Sequence, residues 1–499
     1  MCNAEQYCIP SAKATLYGCW QFRQLVFAQV LVFALAIVLA NVANGRQPEV
    51  QPNIILIIAD DLGYGELGCQ GNPEIPTPRI DRLALSGVRC TQAYVTAPNC
   101  SPSRAGLFSG RIPTRFGYEF NPIGARNEDP GTGIPTSELL LPEQLQQVGY
   151  STGLIGKWHL GGAADYHPLR RGFGEFFGFL HEGHYFAPSP WTGTTLMLRR
   201  KYLPQGSKSR YQVAQDLWYS SHMGHNEPAY DANNPITREG QPVVEQEYLT
   251  DALAREAVGF IRRYRQTPFF LSVTFNAVHS PLQAKNETLQ KLSHINDLHR
   301  QIFAAMLVDL DRGVGNILDA LDECELSQNT LVFFLSDNGG PTRELTSSNL
   351  PLRGGKGTMY EGGLRVPFIA SWPGVIPAGE TCDQVISSLD IYPTCAEVAG
   401  AASNKNLDGY SLLPLLKKID PRSRHETLYW RQGNKAALRS GDWKIVASNR
   451  QGSLRDWELF DISNDMSETM NLADKHPQIV QQLRKRYEQL DAQMAEPLF

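Results

Sequence analysis

The sequence predicts an α/β protein with a large mixed, mainly parallel sheet flanked by helices, followed by a small antiparallel sheet and a helix. Three observations predict this fold. Short apolar runs along residues 50–400 each stop at polar residues, amphipathic helical patterns separate these runs, and after about residue 400 the runs alternate with polar turns. We therefore expect one large domain over residues 50–400 and a C-terminal α+β subdomain over residues 401–499.

The first predicted strand, Asn53–Ala59, is almost wholly apolar and rich in isoleucine, as expected for a strand buried on both faces of a parallel sheet. Polar residues follow this strand and three other apolar runs: Asp60 and Asp61 after Asn53–Ala59, Lys157 and His159 after residues 151–155, His279 after residues 269–278, and Asp337 and Asn338 after Thr330–Ser336. Ligands of open α/β sheets bind outside the carboxyl ends of the strands. We expect these polar residues to meet in one crevice.

Two helices are predicted between the strands, over residues 245–264 and 297–323, because apolar residues recur there at spacings of three and four. Beyond residue 400, the runs at 427–430, 436–439 and Trp443–Ala447 predict the small antiparallel sheet. A closing helix begins near Pro477. Residues 181–241 contain many Gly, Pro, aromatic and His residues without a clear period, and we interpret them as loops near the crevice.

Composition limits the function. The chain has 499 residues, of which 42% are apolar, so it can bury a large core. Its net charge of −5 and pI near 6.2 argue against a nucleic-acid-binding protein, which needs many phosphate-neutralising Lys and Arg side chains. An anionic substrate would therefore need a local cluster of cations.

Residues 1–45 are predicted to be a signal peptide. Lys13 and Arg23 precede a mostly apolar run over residues 25–43 that ends in small residues. The run is close to a membrane-spanning length, so an uncleaved anchor is the alternative. After cleavage we expect no stable membrane association, and an exported protein in a periplasmic, secreted or lysosome-like compartment.

The acidic residues after the strands form a candidate metal site. Asp60, Asp61, Asp337 and Asn338 offer oxygen ligands only, the type preferred by Ca²⁺ and, as an alternative, Mg²⁺. Each motif alone also fits a helix cap or an ordinary turn. Their joint occurrence favours the metal site.

Six segments together resemble one family. They are NIILIIADDLGYGELGCQG from residue 53, CSPSRAGLFSGR from residue 100, GKWHLG from residue 156, NAVHSPL from residue 276, SDNGG from residue 336 and GGKGTMYEGGLRVPF from residue 354. In this order they resemble the type I, formylglycine-dependent sulfatases related to arylsulfatase A and N-acetylgalactosamine-6-sulfatase. The resemblance runs from about residue 50 to the C-terminus.

The resemblance implies a nucleophile that no encoded side chain provides. Cys100 would be converted to formylglycine, an aldehyde whose hydrate attacks sulfur, by a formylglycine-generating enzyme during maturation. Residue 100 would also join the metal ligands, and Arg104 would hold the hydrate.

Four further roles follow from the resemblance. Lys157 and Lys356 would contact the sulfate oxygens, His159 would accept a proton from the second hydroxyl of the hydrate, and His279 would protonate the leaving alcohol. His184 is a weaker candidate near the leaving group. Taken singly, each of these residues also fits an ordinary buried or solvated side chain.

The expected reaction is hydrolysis of a sulfate monoester, of a sulfated glycan or an aryl sulfate, to an alcohol and inorganic sulfate. Two alternatives remain open: a phosphonate or phosphate monoester hydrolase of the same superfamily, and a non-catalytic protein that binds sulfated glycans. Six of the nine cysteines lie outside residues 1–45 and contain no CxxC pair, which argues against a zinc site or a thioredoxin-like protein. If Cys100 is modified, five remain, so we predict no disulfide framework, although Cys382 and Cys395 could pair in an oxidising compartment.

Overall fold

The computed structural model describes residues 51–230, 233–420 and 422–499, and the predicted signal peptide lies outside them. The strands are β1 Asn53–Ala59, β2 Val88–Tyr94, β3 Ser151–Lys157, β4 Glu175–Phe179, β5 Thr194–Arg199, β6 Arg210–Ala214, β7 Leu217–Ser220, β8 Thr237–Arg238, β9 Gln241–Pro242, β10 Phe269–Thr274, β11 Leu282–Lys285, β12 Thr330–Ser336, β13 Phe368–Ser371, β14 Glu380–Ser387, β15 Thr427–Gln432, β16 Lys435–Ser440, β17 Trp443–Ala447 and β18 Trp457–Asp461. The helices are α1 Pro78–Leu85, α2 Cys100–Ser109, α3 Leu141–Gln147, α4 Leu249–Tyr264, α5 Asn286–Lys291, α6 Leu298–Glu323, α7 Thr342–Leu345, α8 Glu361–Leu364, α9 Ile391–Val398, α10 Leu413–Leu416 and α11 Pro477–Asp491.

The largest sheet has ten strands in the order β14-β2-β13-β12-β1-β10-β3-β4-β8-β9. Its centre, from β12 to β4, is parallel, and antiparallel pairs occur toward both edges. On β1, Ile55 and Ile57 pack into one core while Ile54 and Leu56 pack into the other. This two-residue alternation buries both faces of the strand, and the predicted mixed, mainly parallel α/β fold is confirmed.

Helices cover both faces of this sheet. The apolar side chains of α4 and α6 lie in the core on one face, and those of α2, α3 and α9 lie in the core on the other. Both predicted helices are present. The first begins at Leu249 instead of residue 245, because the Glu245 carboxylate accepts hydrogen bonds from the backbone N–H of Gln246 and Glu247 in a turn.

The strand leading to His279 is shorter than predicted. β10 ends at Thr274, although the following residues are just as buried. Beyond it, the Phe275 N–H donates to the Ile58 carbonyl (2.9 Å) and the Val278 N–H to the Asp60 carbonyl (2.8 Å). The chain after β10 therefore crosses the end of β1, which holds the segment before His279 against Asp60.

The prediction of loops over residues 181–241 is wrong in part. This stretch contains β5, β6 and β7, which join β11 in a second, four-stranded sheet in the order β11-β5-β7-β6. Strands of four to six residues with exposed polar side chains, such as β6, give no long apolar run. The sequence feature that could have predicted this sheet is Thr194–Arg199, because it combines threonine with three apolar residues; it is an almost fully buried strand.

The C-terminal residues form the predicted antiparallel sheet, a β15-β16-β17-β18 meander, covered by α11. Pro477 occupies the first turn of α11, as predicted. Val480, Leu483 and Tyr487 are its buried side chains, whereas Met494 lies beyond its end. Residues 52–499 group as one compact unit, and a subdomain boundary near residue 400 stays a prediction.

A buried ion-pair cluster connects the C-terminal sheet to the large sheet. Lys444 on β17 lies 2.9 Å from the carboxylates of both Glu361 on α8 and Glu468, and all three side chains are fully buried. Burial raises the pKa of Glu468 to about 7, against the charge of Lys444, and the nearby charge of Glu361 adds to the rise. Lys444 therefore bridges two buried carboxyl groups, and Arg365 lies 3.5 Å from the Glu361 carboxylate as a second cation.

We expect Lys444→Met to lower the free energy of unfolding by about 3–5 kcal/mol, because it leaves buried carboxyl groups uncompensated. Chemical denaturation of both proteins measures the change. Lys485→Met, at an exposed position of α11, is the matched control and should lie within about 0.5 kcal/mol of the wild type. Equal stability of the two variants would contradict the assigned role of Lys444.

Candidate active site

The predicted crevice exists at the carboxyl edge of the parallel strands. Because β12, β1, β10 and β3 are neighbours in the sheet, the residues that follow them meet. One carboxylate oxygen from each of Asp60, Asp61 and Asp337 and the Sγ atom of Cys100 lie within 4.8 Å of one another, and all four residues are buried. Residues from distant parts of the sequence thus share one small volume.

Cys100 is the first residue of α2, where the helix N-terminus favours negative charge. Its Sγ atom lies 3.5 Å from Asp60 Oδ1, and the backbone N–H of the next residue, Ser101, donates to Asn121 Oδ1 (3.0 Å). Burial raises the pKa of the Cys100 thiol to about 12, outweighing the opposing charges of Lys157 and Lys356. The encoded thiol is therefore protonated at neutral pH and is a weak nucleophile.

Three cations match the three carboxylates. Lys157 Nζ lies 2.6 Å from Asp60 Oδ2, and Lys356 Nζ lies 2.8 Å from Asp61 Oδ2.

Arg104 completes this set from the first turn of α2. Its Nε and Nη2 atoms lie 2.9 and 2.8 Å from Asp337 Oδ2, and its Nη1 donates to the Lys157 carbonyl (3.0 Å). The guanidinium is fully buried, and its hydrogen bonds to Asp337 hold both side chains in fixed positions.

The two central carboxyl groups titrate differently. Burial alone would raise the pKa of Asp60, but Lys157, with smaller contributions from His279 and Arg104, holds that pKa well below its usual range. Burial and the neighbouring charge of Asp60 raise the pKa of Asp337 to about 6, against the charge of Arg104. Additional positive charge at this point would favour the ionised form of Asp337.

Asn338 supplies an amide oxygen to the same group. Its Nδ2 donates to Asp61 Oδ1 (2.7 Å), while its Oδ1 is buried and has no hydrogen-bond partner among the described residues. An unpartnered buried oxygen beside three carboxylates fits a hard divalent cation. Asp60, Asp61, Asp337 and Asn338 are thus a suitable all-oxygen ligand set, with residue 100 adjacent.

His159 is oriented by the main chain. It has a positive φ of 57°, and its Nε2 lies 3.0 Å from the Pro122 carbonyl, which can only accept a hydrogen bond. The proton is therefore on Nε2, and Nδ1, buried and without a partner among the described residues, carries a lone pair. Burial, together with the charge of Lys157, lowers the pKa of His159 well below its usual value. Its neutral ring can accept a proton at Nδ1.

His279 faces the same volume from the β10 side. Its Nδ1 donates to the Ser280 carbonyl (2.7 Å), and its Nε2 lies 3.6 Å from Asp61 Oδ2. A ligand atom of His279 also lies within 4.8 Å of those of Asp60 and Cys100. Burial lowers the pKa of His279, partly opposed by the charge of Asp60.

The structure reveals a supporting segment that the sequence did not indicate. The Ser101 hydroxyl bonds to the His159 carbonyl and to the Tyr118 hydroxyl (2.8 Å). Together with the contacts of Asn121 and Pro122, residues 118–122 therefore fix both the start of α2 and the ring of His159. Ser101 lies in a recognisable motif, but no pattern marks residues 118–122.

A second unpredicted contact comes from the four-stranded sheet that contains β5. Arg199, at the end of β5, donates from Nη2 to Ser280 Oγ (3.0 Å) and is paired with Glu227 at 2.9 Å. It thereby supports the segment that carries His279. His184 lies nearby, since its carbonyl accepts a hydrogen bond from the Asn276 amide (3.5 Å), while its Nδ1 lies 2.9 Å from the Tyr185 carbonyl.

Comparison with known proteins agrees with this geometry. The sulfatase family profile matches residues 52–401, and the profile of the C-terminal part of N-sulphoglucosamine sulphohydrolase matches residues 355–493. Steryl-sulfatase of Homo sapiens is 35% identical over 426 residues, which cover 76% of this chain and 72% of the relative. N-acetylgalactosamine-6-sulfatase of Mus musculus is 34% identical over 459 residues, which cover 89% and 80%.

Solved structures give the same result. The crystal structure of Ps i-CgsB is 36% identical, with a TM-score of 0.78, and the match covers 90% of this chain and 94% of that one. PsFucS1 sulfatase from Pseudoalteromonas sp. is 26% identical, with a TM-score of 0.70 and coverages of 93% and 94%. The resemblance that the sequence motifs indicated is confirmed: the chain belongs to the sulfatase family and is a sulfuric ester hydrolase.

Proposed function

We propose that this enzyme hydrolyses sulfate monoesters of a sulfated glycan or an aryl sulfate, using a formylglycine at position 100 and one divalent metal ion. One observation carries the proposal. A buried Cys100, protonated and therefore unreactive as encoded, opens α2 at the point where three carboxylates meet three cations. A hydrated aldehyde at this position would have two hydroxyl groups for two successive steps.

In the first step, one hydroxyl of the hydrate releases its proton to solvent and forms a bond to sulfur, and the bond from sulfur to the ester oxygen breaks. His279 protonates the departing oxygen from Nε2, which faces the site and first takes up a proton from solvent, because Nδ1 holds the proton of the neutral ring. Lys157 and Lys356 balance the charge that builds on the sulfate oxygens, after exchanging their carboxylate contacts for the substrate. Arg104 stays fixed by Asp337 and orients the hydrate.

In the second step, Nδ1 of His159 removes the proton of the other hydroxyl. The carbonyl re-forms, the bond from carbon to the sulfate oxygen breaks, and inorganic sulfate leaves. The hydrogen bond from Nε2 to Pro122 leaves Nδ1 as the basic atom, so His159 needs no tautomer change for this role.

The metal ion would be Ca²⁺ or Mg²⁺, held by Asp60, Asp61, Asp337, Asn338 and residue 100, where it would polarise sulfate oxygens and assist ionisation of the hydrate. The substrate class is supported by the relatives. Ps i-CgsB, 36% identical, was solved in complex with k-i-k-neocarrahexaose, and a relative 34% identical is an N-acetylgalactosamine-6-sulfatase.

Maturation and export belong to the same proposal. Cys100 is only 1% exposed, so a formylglycine-generating enzyme must act before α2 packs into its core. The predicted signal peptide over residues 1–45 would direct the protein out of the cytoplasm. No helix among the described residues is both long and apolar enough to cross a bilayer.

We expect the tryptic peptide of residues 90–104 from active enzyme to have the mass of an aldehyde at position 100. Cys100→Ala should abolish turnover while retaining affinity for a sulfate ester, because the cations and four of the five proposed metal ligands remain. Mass spectrometry and binding calorimetry measure the two outcomes. Cys324→Ala, outside the site, should leave turnover unchanged, and an unmodified thiol in fully active enzyme would refute the proposed nucleophile.

The two histidines should be kinetically distinguishable. We expect His159→Asn to lower kcat about 10²–10⁴-fold for all leaving groups and to yield one equivalent of alcohol per enzyme while sulfate remains on residue 100. We expect His279→Asn to lower kcat strongly for sugar sulfates but only slightly for nitrophenyl sulfate, whose leaving group needs no proton. Stopped-flow bursts and a leaving-group series measure this, with His294→Asn at an exposed position as control. Identical leaving-group profiles for the first two variants would contradict the separate roles.

Removal of divalent ions should inactivate the enzyme and lower its thermal midpoint, because a metal held at about 100 times its Kd stabilises the fold by about 2.7 kcal/mol. Elemental analysis after chelation, followed by readdition of Ca²⁺ or Mg²⁺, identifies the ion. Asn338→Ala should raise the metal concentration required for recovery. Full turnover of aryl sulfates by metal-free enzyme would exclude a catalytic role for the metal. Preference for aryl phosphates over aryl sulfates would favour the alternative of a phosphate ester hydrolase.

A further inference from the structure

The described chain has six cysteines, all with free thiols, and two of them face each other in the large sheet. Cys90 on β2 and Cys382 on β14 are register partners in a parallel strand pair. Paired residues of neighbouring strands project from the same face, and both thiols pack against the same core. The sequence left a pairing of Cys382 with Cys395 open, but Cys395 lies on the helix α9 and not in this ladder.

The spacing of the pair suits a covalent bond. Neighbouring strands lie about 4.7–4.9 Å apart, within the range of about 4.4–6.8 Å found between the Cα atoms of disulfide-bonded cysteines. The two thiols are close enough for each to shift the pKa of the other. Little movement of the backbone is therefore needed to bring the sulfur atoms into bonding distance.

The two thiols also differ in a way that favours reaction. Cys90 is completely buried, whereas Cys382 is partly exposed on β14, the last strand at its edge of the sheet, next to a β-bulge. The hydrogen bond from Cys90 lowers the pKa of Cys382 to about 7, despite the opposing effect of burial. Cys382 is therefore the accessible thiolate and Cys90 the thiol behind it.

We propose that Cys90 and Cys382 are an oxidation site, at which a small-molecule disulfide such as oxidised glutathione converts the two thiols into a disulfide that joins β2 to β14. The Cys382 thiolate attacks one sulfur of the small disulfide and expels one thiolate, giving a mixed disulfide. Cys90 then loses its proton and attacks the Cys382 sulfur, which expels the second small thiol. Two protein thiols are oxidised and one small disulfide is reduced.

This bond would stabilise the edge of the sheet closest to the C-terminal sheet. β14 leads directly to Asp390, whose carboxylate holds His425 at 2.8 Å just before β15, and β2 leads toward Cys100. A crosslink between residues so far apart in the chain constrains the unfolded state strongly. We expect the oxidised enzyme to have the higher thermal midpoint.

The full-length enzyme is incubated with oxidised glutathione or with a reductant, remaining thiols are alkylated, and tryptic peptides are sequenced. We expect residues 90–104 linked to residues 366–405, with fragment ions assigning the bond to Cys382 and not Cys395. We also expect a thermal midpoint several degrees higher in the oxidised enzyme, no such shift in Cys382→Ser, and an unchanged shift in Cys324→Ser.

Alkylated thiols at both positions after oxidation, a stable glutathione adduct on Cys382, or a bond to Cys395 would each overturn the proposal. Cys382→Ser is preferred to Cys90→Ser because its side chain lies at the sheet edge, so the variant should fold. The test of this disulfide and the test of the proposed function can fail independently of each other. Peptide 90–104 reports the aldehyde at position 100 and the disulfide at position 90 as independent masses.

Discussion

The structure depends on the balance of three buried carboxylates by three buried or nearly buried cations at one edge of the large sheet. Asp60, Asp61 and Asp337 are buried, and the ion pairs with Lys157, Lys356 and Arg104 offset the cost of burying their charge. In turn, these cations are desolvated and concentrated where a sulfate ester would enter. Under the proposed function, a substrate anion would replace the carboxylate contacts of the lysines, because a divalent cation would take over the carboxylates.

The fold places these charged groups, the N-terminus of α2 and the two histidines around one site. Parallel strands bring their carboxyl ends to a common edge, and the N-terminus of α2 approaches that edge with Cys100. Main-chain carbonyls of Pro122 and Ser280 hold the two histidines and leave one nitrogen of each toward the site. The proposed acid and base roles of the two histidines rest on this orientation, and burial lowers the pKa of both.

The surrounding sheets support the catalytic residues from outside. The sheet containing β5 places Arg199 against Ser280, and the C-terminal sheet places Lys444 against Glu361, a few residues after Lys356. Arg199 also pairs with Glu227, so each contact involves a charged pair that is largely removed from water. Parts of the chain outside the site thus support the segments that carry His279 and Lys356.

The sequence by itself determined the fold class, the two long helices, the C-terminal sheet and the residues that meet at the site, because each strand ends in a short motif of reactive side chains. It did not determine the sheet of β5, β6 and β7, whose short strands have no distinct period, or the support from residues 118–122 and Arg199. Those contacts join residues that are distant in sequence. Several of them use main-chain carbonyls, which every residue has and which therefore give no sequence signal. The same holds for Cys90 and Cys382, since strand register is a property of the assembled sheet and only the tertiary structure decided it.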